Sequence, residues 1–197
     1  MPRETFLGLA RWVLGHGEQA NLLEGWKHTI FRLETLQTYL VETEAERWDA
    51  FRQGRPLPPR SSAGKEWLRG IRESSKAGGS WQRVHIVDQP LSDYLLFELH
   101  DYADSVEEGY ETLVADRSQH PELSDLREDF YLLDSDYENA STVLMHYESD
   151  GKPLTMWRTA DLGALADCRE RRDLALRHAI PLNDFLASLD QPLAAAM

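Results

Sequence analysis

A single cysteine, Cys168, in a chain of 197 residues excludes a disulfide framework and a multi-cysteine zinc centre. Positive charge is also scarce. Against 34 aspartates and glutamates stand 21 lysines and arginines, a net charge of −13, so a polyanion meets net repulsion and direct nucleic-acid binding is disfavoured. No apolar run approaches the roughly 18 residues that would cross a bilayer. The amino-terminal stretch is broken by Arg11 and Gly15, which makes it too polar for a secretory signal. A cytoplasmic protein is expected. The chain also has no GxGxxG, P-loop, GxSxG, HExxH or EF-hand pattern, so the sequence assigns no cofactor and no metal.

What is present is the composition of an ordinary globular domain, 42% hydrophobic and 10% aromatic, in a chain long enough to fold without a staple. Leu7, Ala10, Trp12, Val13 and Leu14 make a short amphipathic helix, to dock on its own domain or to lie on a partner or a membrane. In residues 28–36, Phe31, Leu33 and Thr35 share one face of a strand and Arg32 and Glu34 the other, with Ile30 out of phase. Thr43 and Glu46 form a capping box before a helix that Gly54 ends, followed by the proline-rich connector RPLPPRSSAG. Helical spacing then appears over 64–77 and 92–107, with strands at 83–87 and 111–115 between and after them. Three strands follow at 129–134, 141–147 and 153–159, the last two joined at Asp150-Gly151, where both residues tolerate positive φ. Asp161 caps a final helix that ends or kinks near Pro181. Helices alternating with strands indicate an α/β domain, with α+β as the alternative: one layered domain, a mixed central sheet of five to six strands, and helices on its faces.

Charge is concentrated. Between Arg52 and Arg83, eight basic residues face only Glu66 and Glu73, a local excess of six positive charges. Arg55, Arg60, Lys65, Arg69 and Arg72 are therefore candidates for docking an anion, the acidic face of a second copy or a partner protein, and a solvated helix face is the plain alternative. His100 and Asp104 have the i, i+4 spacing of a metal pair but no third ligand can be assigned. Cys168 reads as a packed thiol. Arg32, Glu34, Arg83, Tyr94 and Glu98 are the candidate ligand pocket: strand alternation groups the first two, and Tyr94 and Glu98 share a helical face.

The blocks FRLETLQTYLVETE (31–44), EWLRGIRES (66–74), RVHIVDQPLSDYLLFEL (83–99) and DFYLLDSD (129–136), in that order, resemble an actinobacterial family of domains of unknown function, number 6879. The resemblance runs from about residue 25 to the end, leaving residues 1–24 as an amino-terminal helical extension and 25–197 as the domain. Members of that family are commonly encoded beside helix-turn-helix regulators. The resemblance therefore implies a non-catalytic regulatory or interaction domain that works with such a regulator and senses a small ligand. The competing expectation is an enzyme of natural-product metabolism using the Arg32, Glu34, Arg83, Tyr94 and Glu98 pocket. A second likeness is to one half of a phospholipase D-type domain, whose nucleophilic His and phosphate-binding Lys correspond here to Arg127 and Asp129, with only Asp134 retained. A carboxylate in place of the lysine repels phosphate, so hydrolysis by that route is not expected.

Overall fold

The computed structural model describes residue 23 and residues 25–189, so the helix expected over residues 7–14 lies outside the described residues. Seven strands form one mixed sheet in the order β6-β5-β4-β1-β2-β3-β7. They are β1 (Thr29–Glu34), β2 (Ser80–Val87), β3 (Tyr110–Asp116), β4 (Asp129–Leu133), β5 (Ser141–Tyr147), β6 (Pro153–Thr159) and β7 (Ile180–Pro181). The helices are α1 (Ala45–Arg52), α2 (Ser62–Lys76), α3 (Asp93–Glu107), α4 (Leu162–His178) and α5 (Leu182–Ser188). β1, β2 and β3 run parallel, and every other pairing is antiparallel. The sheet has one strand more than the upper expectation of six. The extra strand is the two-residue β7, where Ile180 and Pro181 pair with Val114 and Leu113. Proline, which has no N–H to donate, is tolerated on such an edge because no further strand requires one there.

The crossovers from β1 to β2 and from β2 to β3 carry α1, α2 and α3, and right-handed connections that step across a sheet in one direction leave their helices on one face. Ile71 of α2 accordingly packs with Ile30, Trp81 and Tyr110, and Leu95, Leu99 and Tyr102 of α3 pack with Val87 and Val114. α5 adds Leu182 and Phe185 to that second group. The opposite face belongs to α4, whose Leu165, Cys168 and Ala175 cover Phe31, Leu33, Val84, Ile86, Phe130 and Leu132. β1 is thus buried on both faces. The alternation in its sequence separates two kinds of interior, one apolar under α4 and one polar under α1–α3, and Ile30 shares the second with Arg32 and Glu34.

Local chemistry sets the element ends. Ser61, Ser92 and Asp161 each accept a backbone N–H of the first turn, at 3.2, 3.1 and 2.9 Å, capping α2, α3 and α4. The capping box expected from Thr43 and Glu46 does not form: a 3-10 turn over Glu42–Glu44 enters α1, and no side chain caps it. At the β5–β6 connection only Gly151 has positive φ, at 85°, and the loop closes through Glu148 N–H to Lys152 O and Gly151 N–H to Glu148 O instead of as a two-residue turn. That glycine is required twice, because a Cβ there would sit 2.3 Å from the carbonyl oxygen of Thr38.

Candidate functional site

Sheet register builds the site. Arg32 of β1 stands beside Arg83 of β2, Glu34 beside His85, and Tyr131 of β4 opposite Arg32. Two neighbouring guanidinium groups repel, and Glu34 answers both: its Oε1 is 2.8 Å from Arg32 Nε and its Oε2 is 3.2 Å from Arg83 Nη1. None of the three is more than 7% exposed. Arg32 also lies over the Tyr131 ring at 4.5 Å and 3.4 Å from Asp129. Arg83 is held between Tyr102 and Tyr110, 4.2 Å from each ring centre. Burial opposes the Glu34 charge, but Arg32 and Arg83 outweigh it and hold this carboxyl below the usual range.

Protons in this network follow from what each partner can accept. His85 Nε2 lies 2.9 Å from the Leu36 carbonyl, which only accepts, so that nitrogen carries the hydrogen. Burial lowers the His85 pKa, and the neutral ring accepts at Nδ1 from the Tyr102 hydroxyl 2.7 Å away. The same hydroxyl is 3.0 Å from Glu34, so one proton serves two acceptors. Glu98 approaches the ring at 3.6 Å without a hydrogen bond at Oε2, and burial together with Glu34 and Glu44 pushes its pKa well up. Asp129 accepts from Thr35 N–H, the Thr35 hydroxyl and the Tyr39 hydroxyl at 2.8, 2.9 and 2.7 Å, while burial pushes its pKa up.

Beside this network lies a cavity of about 570 Å³, walled by Trp26, Trp67, Trp81, Tyr131, Met145 and Met156, with Glu44, Arg47 and Arg60 among its polar lining. The indoles of Trp26 and Trp67 each meet Trp81 edge-on at 5.2 Å, and Ser74 accepts the Trp81 indole N–H at 2.7 Å. Gly79 leaves room for this wall, since a Cβ there would fall 2.7 Å from the Trp26 ring. Arg47 and Arg60 clamp Asp101 from both sides, at 2.8 and 3.0 Å, and Arg60 also reaches Asp104 at 2.8 Å. The buried Nε of Arg47 has no partner among the described residues. Glu44 accepts from Tyr94 at 3.2 Å, and burial and then Asp101 push its pKa up to about 7.

Residues 17–187 match the family described as Domain of unknown function (DUF6879). The chain belongs to that family. No curated protein and no solved structure matches the chain. The match to DUF6879 begins eight residues before the start at residue 25 drawn from the quoted blocks and stops at 187, inside α5.

In this DUF6879 domain, Arg32, Glu34 and Arg83 form one ion cluster, and Glu98 lies beside it, 3.6 Å from the His85 ring. Tyr94 turns to Glu44 instead. Sequence reasoning missed His85, Tyr102, Asp129 and the tryptophan wall. His85 was findable, being two residues from Arg83 on the same strand face, and Tyr102 is one helical turn beyond Glu98. Nothing local marks Asp129. The basic segment is largely neutralised within the fold: Arg60 by Asp101 and Asp104, Arg55 by Asp49, Arg69 by Glu66 and Glu73 at 3.9 Å each, and Arg72 by Glu108. Lys65 is exposed and has no ion pair among the described residues. His100 and Asp104 are not joined, His100 packing on Phe51 and Asp104 pairing with Arg60. Cys168 is buried with its thiol pushed up to about 11 by burial. Of the positions aligned with the phospholipase D-type set, Asp134 accepts backbone N–H groups of Lys27, His28 and Thr29 at 2.8, 2.7 and 2.9 Å, locking the start of β1. Asp129 stands at the other end of β4, and exposed Arg127 donates to the Ser124 carbonyl.

Proposed function

We propose that this chain is a cytoplasmic, non-catalytic regulatory domain that binds a small aromatic metabolite in the tryptophan-walled cavity and signals to a separately encoded helix-turn-helix DNA-binding protein. The cavity carries the reading. Its 570 Å³ falls within the roughly 300–1,000 Å³ of small-molecule sites, and it combines apolar walls with few polar groups, as ligand sites do. The guanidinium groups of Arg47 and Arg60 in its lining favour a ligand bearing a hydrogen-bond acceptor or a negative charge. The partner rests on the resemblance to actinobacterial relatives encoded beside such regulators, and the acidic charge favours a protein partner over DNA for this chain itself.

A thermal-shift screen of aromatic and heteroaromatic carboxylates tests the reading, with Ala63→Phe as the control that fills the cavity from its α2 lining. Stabilising compounds should lose their effect in the variant. Co-expression with the adjacent helix-turn-helix protein should yield a complex whose affinity changes with the same compounds. No hit in the screen, together with no complex, would reject the proposal.

One observation favours a second reading. Glu44, poised near neutral pH on a cavity wall, has the character of a general acid or base, as an enzyme of natural-product metabolism would require. Turnover of an aromatic substrate that disappears in Glu44→Gln would select it.

A further inference from the structure

We propose that His120, Glu122 and His178 form a binding site for Zn²⁺ that clips the β3–β4 connection to the end of α4. Their candidate ligand atoms all lie within 4.8 Å of one another. His178 Nε2 and Glu122 Oε1 are already 3.1 Å apart, close to the roughly 3.4 Å edge of a tetrahedron with bonds of about 2.1 Å. The two imidazoles face each other with ring centres 4.4 Å apart and an interplanar angle of 36°, so small rotations bring a nitrogen of each to a common point.

The donor set chooses the metal. Two imidazole nitrogens and one carboxylate oxygen suit Zn²⁺ and its transition-metal neighbours, whereas Ca²⁺ and Mg²⁺ require oxygen ligands. Three protein ligands leave a fourth position for water.

The scaffold is firm on both sides. Pro121 separates His120 from Glu122 and opens the 3-10 turn Pro121–Asp125. Leu123 and Leu126 bury that region in the same apolar cluster as Leu165, Cys168 and Ala175 of α4. His178 is the last residue of α4, and the chain immediately afterwards pairs with β3 through Ile180. Both ligand-bearing segments are therefore anchored to one core, which reduces the ordering that metal binding would demand. None of these residues lines the aromatic cavity, so this site stands or falls separately from the ligand reading.

The test is calorimetric titration of the chelator-treated full chain with Zn²⁺. One equivalent should bind saturably, His120→Ala and His178→Ala should each weaken binding at least tenfold, and His146→Ala, a control stacked on Trp157, should leave it unchanged. Circular dichroism and the Tm of the metal-free variants verify that they fold. As a measurement that needs no variant, Zn²⁺ should shift the imidazole NMR signals of His120 and His178 in the unmodified chain. Absence of saturable binding, binding that survives the double variant His120→Ala/His178→Ala, or shifts confined to other histidines would each overturn the site.

Discussion

Arg32 and Glu34 sit two residues apart on a central strand, and neither reaches bulk water. Removing one partner of such a buried pair strands the other's charge, so Arg32→Ala is expected to cost about 3–5 kcal/mol, measured by urea unfolding. A loss under 1 kcal/mol would mean that Glu34 and Asp129 are already relieved by water or protonation. Glu44 makes a pH prediction. Its folded pKa, about 7, lies above the ordinary 4.5, so its contribution to stability is fully present below pH 4.5 and is lost as pH rises through 7. The size is up to about 3 kcal/mol, reduced because the half-buried side chain still meets solvent. Glu44→Gln should therefore flatten the fall in urea-unfolding stability between pH 5 and pH 8, and an unchanged slope would place the titration elsewhere. For His85, the lowered pKa and the Leu36 bond predict a neutral ring protonated at Nε2 at pH 7, visible in its imidazole ¹⁵N shifts. A protonated ring at that pH would mean that Tyr102 gives its hydrogen to Glu34 alone.

At the scale of elements, the β5–β6 hairpin is fastened to the segment that carries Tyr39. Leu40 N–H donates to the Gly151 carbonyl at 3.1 Å, and Gly151 presses on Thr38 and Tyr39. Gly151→Ala combines positive φ with a backbone clash and should cost about 2 kcal/mol or more in urea unfolding. An effect below 0.5 kcal/mol would show that the loop can shift without consequence. Much of this level was legible in the residues. Ser92, Gly109 and Asp161 mark helix ends by local chemistry, and the β4, β5 and β6 segments have the short lengths and the β-branched and aromatic side chains that strands favour. Two features were not. The pair Ile180-Pro181 is too short to have a periodicity, and its strand state comes from β3 alone. The alternation of FRLE is the same whether Arg32 and Glu34 face solvent or helices, and only the cover by α1–α3 decides.

At the scale of the whole molecule, the two faces of the sheet have different work. The α4 face is an apolar core, while the α1–α3 face holds an ion and tyrosine network and, next to it, an aromatic-walled space. Composition could not reveal this division, because the tryptophans lie before β1, in α2 and in β2, and meet only through the fold. Within the basic stretch between Arg52 and Arg83, Arg60 and Arg72 meet counter-charges that sequence order does not place beside them, Asp101 and Asp104 of α3 and Glu108 just after it. The family reading was legible, since the quoted blocks fall within the matched residues 17–187. The proposed function requires the aromatic-walled space to receive a small molecule, and calorimetric titration of the best-stabilising aromatic carboxylate into the unmodified chain, Ala63→Phe and Arg47→Gln tests that requirement. One saturable site, abolished by Ala63→Phe and weakened about tenfold by Arg47→Gln through loss of a positive charge from the cavity wall, is the predicted result. Equal binding to all three proteins would contradict it.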